Sequence, residues 1–168
     1  MPVGATQVFD GTLAGFLSDA GTQWDASGTG LFYAILVSDA AAPVDTDSTL
    51  ADIGAGGTEA QVGADTAAYI APGGDGAPIE VPTRTLATTL GATEFRFGNL
   101  DFGSSVTITG VKYVVILQGN VASIQSTDPV RFWLDLDTGG GEVSATAGAF
   151  VVSAPTNNNW FQINAQQS

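Results

Sequence analysis

The chain has 168 residues, 44% of them hydrophobic, which fits one globular domain that folds without a metal or a disulfide. Seventeen acidic residues outnumber four basic ones, and the net charge of −13 predicts a surface that repels nucleic acid and anionic membranes. The absence of cysteine and histidine excludes thiol nucleophiles, imidazole bases and zinc sites of the usual kind. We therefore expect neither a nucleic-acid partner nor a membrane partner.

The N-terminal residues carry no recognisable export signal. Met1 to Gly4 contain no basic group, and no apolar run in the chain approaches the roughly 20 residues of a membrane helix. We therefore expect a single β domain over residues 1–168 that is made in a cytoplasm without an export signal.

The first predicted elements are a short helix and a buried strand. Leu13, Phe16 and Leu17 are spaced i, i+3 and i+4, which places them on one face of a helix over about residues 11–19. Residues 31–37 form a continuous apolar run, which is typical of a strand covered on both faces.

A long loop is expected over about residues 38–66. Within it, residues 48–53 are predicted to form a helical turn with Ser48 as a candidate N-cap. The glycine cluster at residues 54–57 has no lysine and no helix behind it, so it indicates a turn and not a phosphate-binding loop. A short strand is predicted near residues 67–70.

The sequence of the second half of the chain predicts strands separated by turn residues. Phe95 and Phe97 alternate with charged residues, as in a strand with one buried face. The predicted strands of this half cover residues 79–90, 94–97, 106–118, 129–137, 142–152 and 160–163. Helices are too few and too short for parallel crossovers. The predicted fold is all-β, a β-sandwich or jelly roll of about eight antiparallel strands with one short N-terminal helix.

One strand of this series carries the candidate interface residues. Strict alternation over residues 129–137 puts Trp133 on the polar face of the strand, beside Arg131 and Asp135. A large aromatic side chain on a polar face indicates contact with another chain or with a neighbouring loop. Trp133, Arg131 and Trp160 are therefore the predicted interface residues, and we favour an interface over a sugar-binding platform of aromatic rings.

Two carboxylates on the same face, Asp135 and Asp137, are the candidates for chemistry. They are weak candidate ligands for calcium, which prefers oxygen donors. A second hypothesis is that they act as the paired acid and base of a glycosidase. The alternation of the strand fully explains both aspartates as part of a solvated face, which is the interpretation we favour. We predict no catalytic residue, no cofactor and no enzyme activity.

The order of the segments resembles a widespread group of small structural proteins of tailed bacteriophages. The similarity covers about residues 8–164. In the first half, the similar segments are the helix at residues 13–17, a Trp-Asp turn at 24–25 and the strand at 33–37. In the second half, they are the Phe-Gly-Asn-Leu-Asp segment at 97–101, the long strand at 107–117, the strand and glycine turn at 132–141, and the polar turn with the closing strand at 157–163.

This resemblance implies a virion protein on the particle surface, most simply a capsid decoration or cement protein that stabilises the head. The implied partners are the major capsid protein and copies of the chain itself, as a trimer. A tail or head-fibre component that binds host glycan is the first alternative. A calcium-stabilised secreted adhesin module is an alternative from another class.

Overall fold

The computed structural model describes residues 6–8, 32–53, 75–89, 92–137, 139–155 and 158–164. The helix predicted at residues 11–19 and the strand predicted near residues 67–70 lie outside these ranges. So does the second part of the predicted loop, residues 54–66.

The described residues form strands that pair antiparallel throughout, so the all-β prediction is confirmed. Eight strands have five or six residues, and four short ones have two or three. Two single turns of 3-10 helix, Asp39–Ala41 and Leu50–Asp52, are the helical elements of the described part. The strands are β1 Thr6–Val8, β2 Phe32–Val37, β3 Ile79–Glu80, β4 Thr85–Thr89, β5 Ala92–Arg96, β6 Leu100–Asp101, β7 Val106–Val111, β8 Tyr113–Gln118, β9 Val130–Asp135, β10 Val143–Gly148, β11 Val151–Val152 and β12 Asn159–Asn164.

A five-stranded sheet with the order β1-β9-β8-β2-β3 is the largest unit. Three smaller sheets, β10-β7, β11-β6 and β12-β5-β4, contribute side chains to one hydrophobic cluster on one face of the large sheet. We call this face the inner face. The finer assignment to a sandwich or a jelly roll stays a prediction.

The central strand β2 is buried over its whole length. All six of its residues have 0% exposed surface, which confirms the prediction of a strand covered on both faces. Phe32, Ala34 and Leu36 point into the inner cluster, and Tyr33, Ile35 and Val37 belong to a second cluster on the outer face. Each large apolar side chain buried in this way contributes roughly 1.5–3 kcal/mol.

The segment of residues 38–53, which we call the strap, covers the outer face. Leu50 and Ile53 of the strap are fully buried in the outer cluster. The backbone N–H of Leu50 donates to the carbonyl of Asp128 at 2.9 Å, and the N–H of Val130 donates to the carbonyl of Ser48 at 3.1 Å. These bonds hold the strap against the loop that leads into β9.

A stack of aromatic rings fills the centre of the inner cluster. Trp160 lies flat against Phe97, with the ring centroids 4.3 Å apart and the planes 1° apart, and its Nε1 donates to the carbonyl of Phe97 at 2.9 Å. Phe95 stacks on Phe161 at 4.2 Å. The closing strand β12 is therefore joined to the core by stacked rings as well as by its ladder with β5.

The long strand predicted over residues 106–118 is instead two strands in different sheets. Gly110 has a φ of 72°, and the chain turns a corner between β7 and β8 at Lys112. Val111 consequently packs in the inner cluster and not on the outer face with Tyr113. The prediction of one continuous strand is wrong here because left-handed Gly110 lies at a register shift in the β7 ladder, and the ladder ends one residue later at Val111.

A bulge in β9 places Val130 on a different face of the sheet from the predicted one. The register passes from Ile116↔Phe132 to Leu117↔Val130, so that Arg131 is the extra residue. Val130 therefore belongs to the outer cluster, whereas Phe132 belongs to the inner one. The predicted alternation holds from Phe132 onward and fails at Val130.

Gly119 tests how closely the loop that leads into β9 packs on the sheet. A Cβ at this position would lie 2.5 Å from Oδ2 of Asp128, the oxygen that accepts the Tyr33 hydroxyl hydrogen bond at 2.9 Å. We expect Gly119→Ala to displace that carboxylate and to lower the free energy of unfolding by about 1–3 kcal/mol in urea titrations.

Gly98→Ala is the matched control, because a Cβ there would meet only Pro82 at the ordinary contact distance of 3.5 Å. Equal losses of stability in the two variants would contradict the proposed packing.

Candidate functional site

The four basic residues of the chain are largely inside the fold. Arg84, Lys112 and Arg131 are 6%, 5% and 8% exposed. The fourth, Arg96, has a side chain that is 31% exposed and forms an ion pair with Glu94. The cationic groups therefore serve internal contacts, and the exterior is left with acidic and neutral polar groups.

Each buried cation has a specific partner. The guanidinium of Arg84 lies 5.3 Å from the ring centroid of Phe32 and donates to the carbonyl of Val81, and burial lowers its pKa. Lys112 places its Nζ 3.0 Å from Oδ1 of Asp135 and also donates to the carbonyl of Asp137. The hydrogen bond to Asp135 raises the pKa of Lys112.

Trp133, the central residue of the predicted interface, is partly buried and not openly exposed. Its ring meets Tyr113 edge to face at 5.4 Å and packs against the outer cluster. It lies on the outer face of the five-stranded sheet, between the register partners Gln7 of β1 and Val115 of β8. Trp133 is thus partly covered by the apolar cluster on the outer face, and its contact with another chain stays a prediction.

The other two predicted interface residues are internal. Trp160 is 5% exposed, because it stacks on Phe97 in the inner cluster. The guanidinium of Arg131 donates through Nε to Oε1 of Gln118 at 3.0 Å, at the bulge of β9. Within the chain, neither side chain offers an open surface, and the structure does not bring the three residues together on one patch.

The two candidate calcium ligands have different tasks. Oδ1 of Asp135 faces Lys112 and accepts the backbone N–H of Asp137 at 2.9 Å. Oδ1 of Asp137 accepts the N–H of Gly139 at 2.8 Å and shapes the glycine turn. In the part of the chain that the structure describes, no group of three or more acidic side chains is placed to hold a metal ion.

Two carboxylates of the strap have opposite pKa shifts. Asp52 accepts hydrogen bonds from the hydroxyl and N–H groups of Ser48 and Thr49, which lower its pKa to about 2. Burial raises the pKa of Asp47. Ionised Asp52 therefore stabilises the strap above its usual pKa of 3.8, and this contribution is lost as the pH falls through about 2. Acid has the opposite effect at Asp47, where protonation removes a buried charge.

The helical turn predicted at residues 48–53 is confirmed as the 3-10 turn Leu50–Asp52. Thr49 is the residue at its N-cap, and Ser48 adds bonds to the same carboxylate. The sequence prediction did not include Asp52, whose carboxylate accepts the hydrogen bonds at this turn. The spacing of Thr49 and Asp52, three residues apart before a short turn, was the available signal.

A groove of about 240 Å³ lies beside β10 and β11. Its lining includes the apolar side chains of Leu136, Val143 and Phe150 and the hydroxyl-bearing residues Ser144 and Ser153. No charged side chain of the described residues lines it. The two serine hydroxyls therefore have no acidic or basic side chain beside them among the described lining residues.

Large apolar side chains are rarely exposed in the described ranges. Those that are exposed are Val44 in the strap at 53%, Leu86 in β4 at 45% and Val151 in β11 at 42%. They lie in three different elements. Sequence periodicity missed all three, since none interrupts an alternating pattern.

No protein-family model, no curated protein and no solved structure matches the chain. Among the described residues, no helix is long and apolar enough to cross a membrane. The resemblance to phage structural proteins expected from the order of segments therefore stays a prediction.

Replacing Asp135 and Asp137 one at a time distinguishes two interpretations, an internal ion pair and a calcium site. We expect Asp135→Asn to lower the melting temperature more than Asp137→Asn, because only the former leaves Lys112 buried without its carboxylate. Asparagine at position 137 can still accept the Gly139 hydrogen bond.

The melting temperature of the unmodified chain should not change when calcium or a chelator is added. Equal losses in both variants, together with a calcium-dependent rise in the melting temperature, would favour a calcium site at these residues.

Proposed function

We propose that this chain is a structural protein of a tailed-bacteriophage particle, and that it decorates and stabilises the head. The proposal rests on the order of segments along the sequence. It is supported by one structural observation, the combination of a central sheet buried on both faces with basic groups that are used internally.

The internal position of the cations suits a protein that surrounds packaged nucleic acid without binding it. Nucleic-acid affinity comes mainly from lysine and arginine on the surface that neutralise phosphates. Here Arg84, Lys112 and Arg131 are at most 8% exposed. An exterior of this kind can be present in many copies on a particle without capturing nucleic acid from host or phage.

The two-sided core suits a protein that must persist outside a cell. The strap covers one face of the five-stranded sheet and the smaller sheets cover the other. Local opening of such a sheet requires two layers to separate, which raises its free-energy cost. The proposed partners are the major capsid protein and further copies of the chain, and the proposed location is the particle surface.

The experiment that tests this function begins with particles that lack the protein. Purified chain added to such particles should co-sediment with heads and should raise the temperature at which they release their nucleic acid. Isolated tails, incubated in the same way, are the control. Absence of co-sedimentation with heads would overturn the decoration role.

Mass spectrometry of separated heads and tails tests the location independently. We expect peptides of this chain in the head fraction. Peptides found only in the tail fraction would favour the tail or fibre alternative, for which a glycan array is the next measurement.

A further inference from the structure

The outer edge of β4 is a regular strand edge at the end of a sheet of the described residues. β4 forms the end of the sheet β12-β5-β4 and pairs with β5 over five consecutive residues without a register shift. No other described strand lies on its far side. Its sequence, Thr85 to Thr89, contains no charged residue and no proline.

The other sheet edges in the described ranges have features that limit strand pairing. β1 has three residues, and β3, β6 and β11 have two each. The β10-β7 ladder has two register shifts, and the β12-β5 ladder has one. Short strands and bulges are the usual means by which proteins protect their edges, and β4 has neither of them.

An apolar row on the three-stranded sheet ends at this edge. Leu86 is the register partner of Phe95, which in turn pairs with Phe161. Phe95 is 4% exposed and stacks on Phe161, but Leu86 is 45% exposed. The row therefore ends in a leucine that a further strand would cover.

The charges around β4 balance locally, unlike those of the whole chain. Arg84 lies next to β4 in sequence and pairs with Glu80 at 3.8 Å, and Arg96, the register partner of Thr85, pairs with Glu94. Two of the four basic residues of a chain with a net charge of −13 are thus placed here. Repulsion between two copies is smaller at a locally neutral edge than elsewhere on an acidic surface.

We propose that the β4 edge pairs antiparallel with β4 of a second copy of this chain. The pairing is centred on Ala87, so that each copy offers the same five residues, and it joins the two three-stranded sheets into one of six strands. Such a contact is isologous and closes as a two-fold dimer. It does not depend on the virion role, and it gives a dimer where the sequence resemblance implied a trimer.

The pairing is weak in dilute solution. Five residues of strand bury less than the roughly 1,200–2,000 Å² of a stable interface, so a concentration-dependent dimer is expected. Added salt strengthens it, because salt screens the repulsion between two acidic chains. On a particle surface, where copies are held close together, the effective concentration favours the same contact.

Analytical ultracentrifugation of the whole chain over a range of concentrations tests the proposal. Leu86→Lys should weaken dimerisation about tenfold or more, because it removes the apolar contact and places a charge at the edge. Val44→Lys and Val151→Lys are the matched controls, since they make the same charge change at side chains of similar exposure. Both should leave the dimerisation constant within about twofold.

Amide hydrogen exchange of the unmodified chain is the second measurement, and it needs no variant to fold. Exchange at residues 85–89 should slow as the concentration rises, while exchange in β12, at the other edge of the same sheet, should not change. A monomer at all concentrations, a trimer, or a dimer that Leu86→Lys leaves intact would each overturn the proposal. These results are independent of whether the chain binds phage heads.

Discussion

The pairing of β2 with β8 in the middle of the five-stranded sheet is the constraint on which the rest of the structure depends. Every residue of β2 is fully buried, and its register with β8 runs without a break from Phe32↔Gln118 to Val37↔Tyr113. Because successive side chains point to opposite faces, both faces must be covered. The smaller sheets cover one face and the strap covers the other, so each layer needs the central pair to be in place.

The placement of charge follows from this arrangement. Two of the four basic residues lie where the backbone changes direction: Lys112, which is paired with Asp135, is at the β7-β8 corner, and Arg131 is at the bulge of β9. Removing one partner of such a pair leaves a buried charge, which costs more than the pair contributes when intact. Because the basic groups are used internally, the exterior is acidic. The proposed contact between copies lies at β4, where the charges balance locally.

Much of this fold could be predicted from the sequence, and the failures have physical causes. The continuous apolar run at residues 31–37 indicated a doubly covered strand, and the structure has one. At Gly110 and at Arg131, the neighbouring side chains switch from one face of the sheet to the other. The alternation of apolar and polar residues in the sequence does not mark either switch, so periodicity could not locate the corner or the bulge. Trp160 could not be placed because its partner, Phe97, is 63 residues away in sequence. The structure does not bring Trp133, Arg131 and Trp160 onto one patch, and whether any of them contacts another chain stays a prediction.

Amide hydrogen exchange under native conditions tests the central role of the β2-β8 pair most directly. The account predicts that the amides of Phe32–Val37 and Tyr113–Gln118 exchange last, and only by global unfolding, so that their opening free energy equals that measured by urea titration. The amides of β10, in the irregular β10-β7 ladder, should exchange by cheaper local opening. Exchange of the β2 and β8 amides as fast as that of β10 would contradict the account.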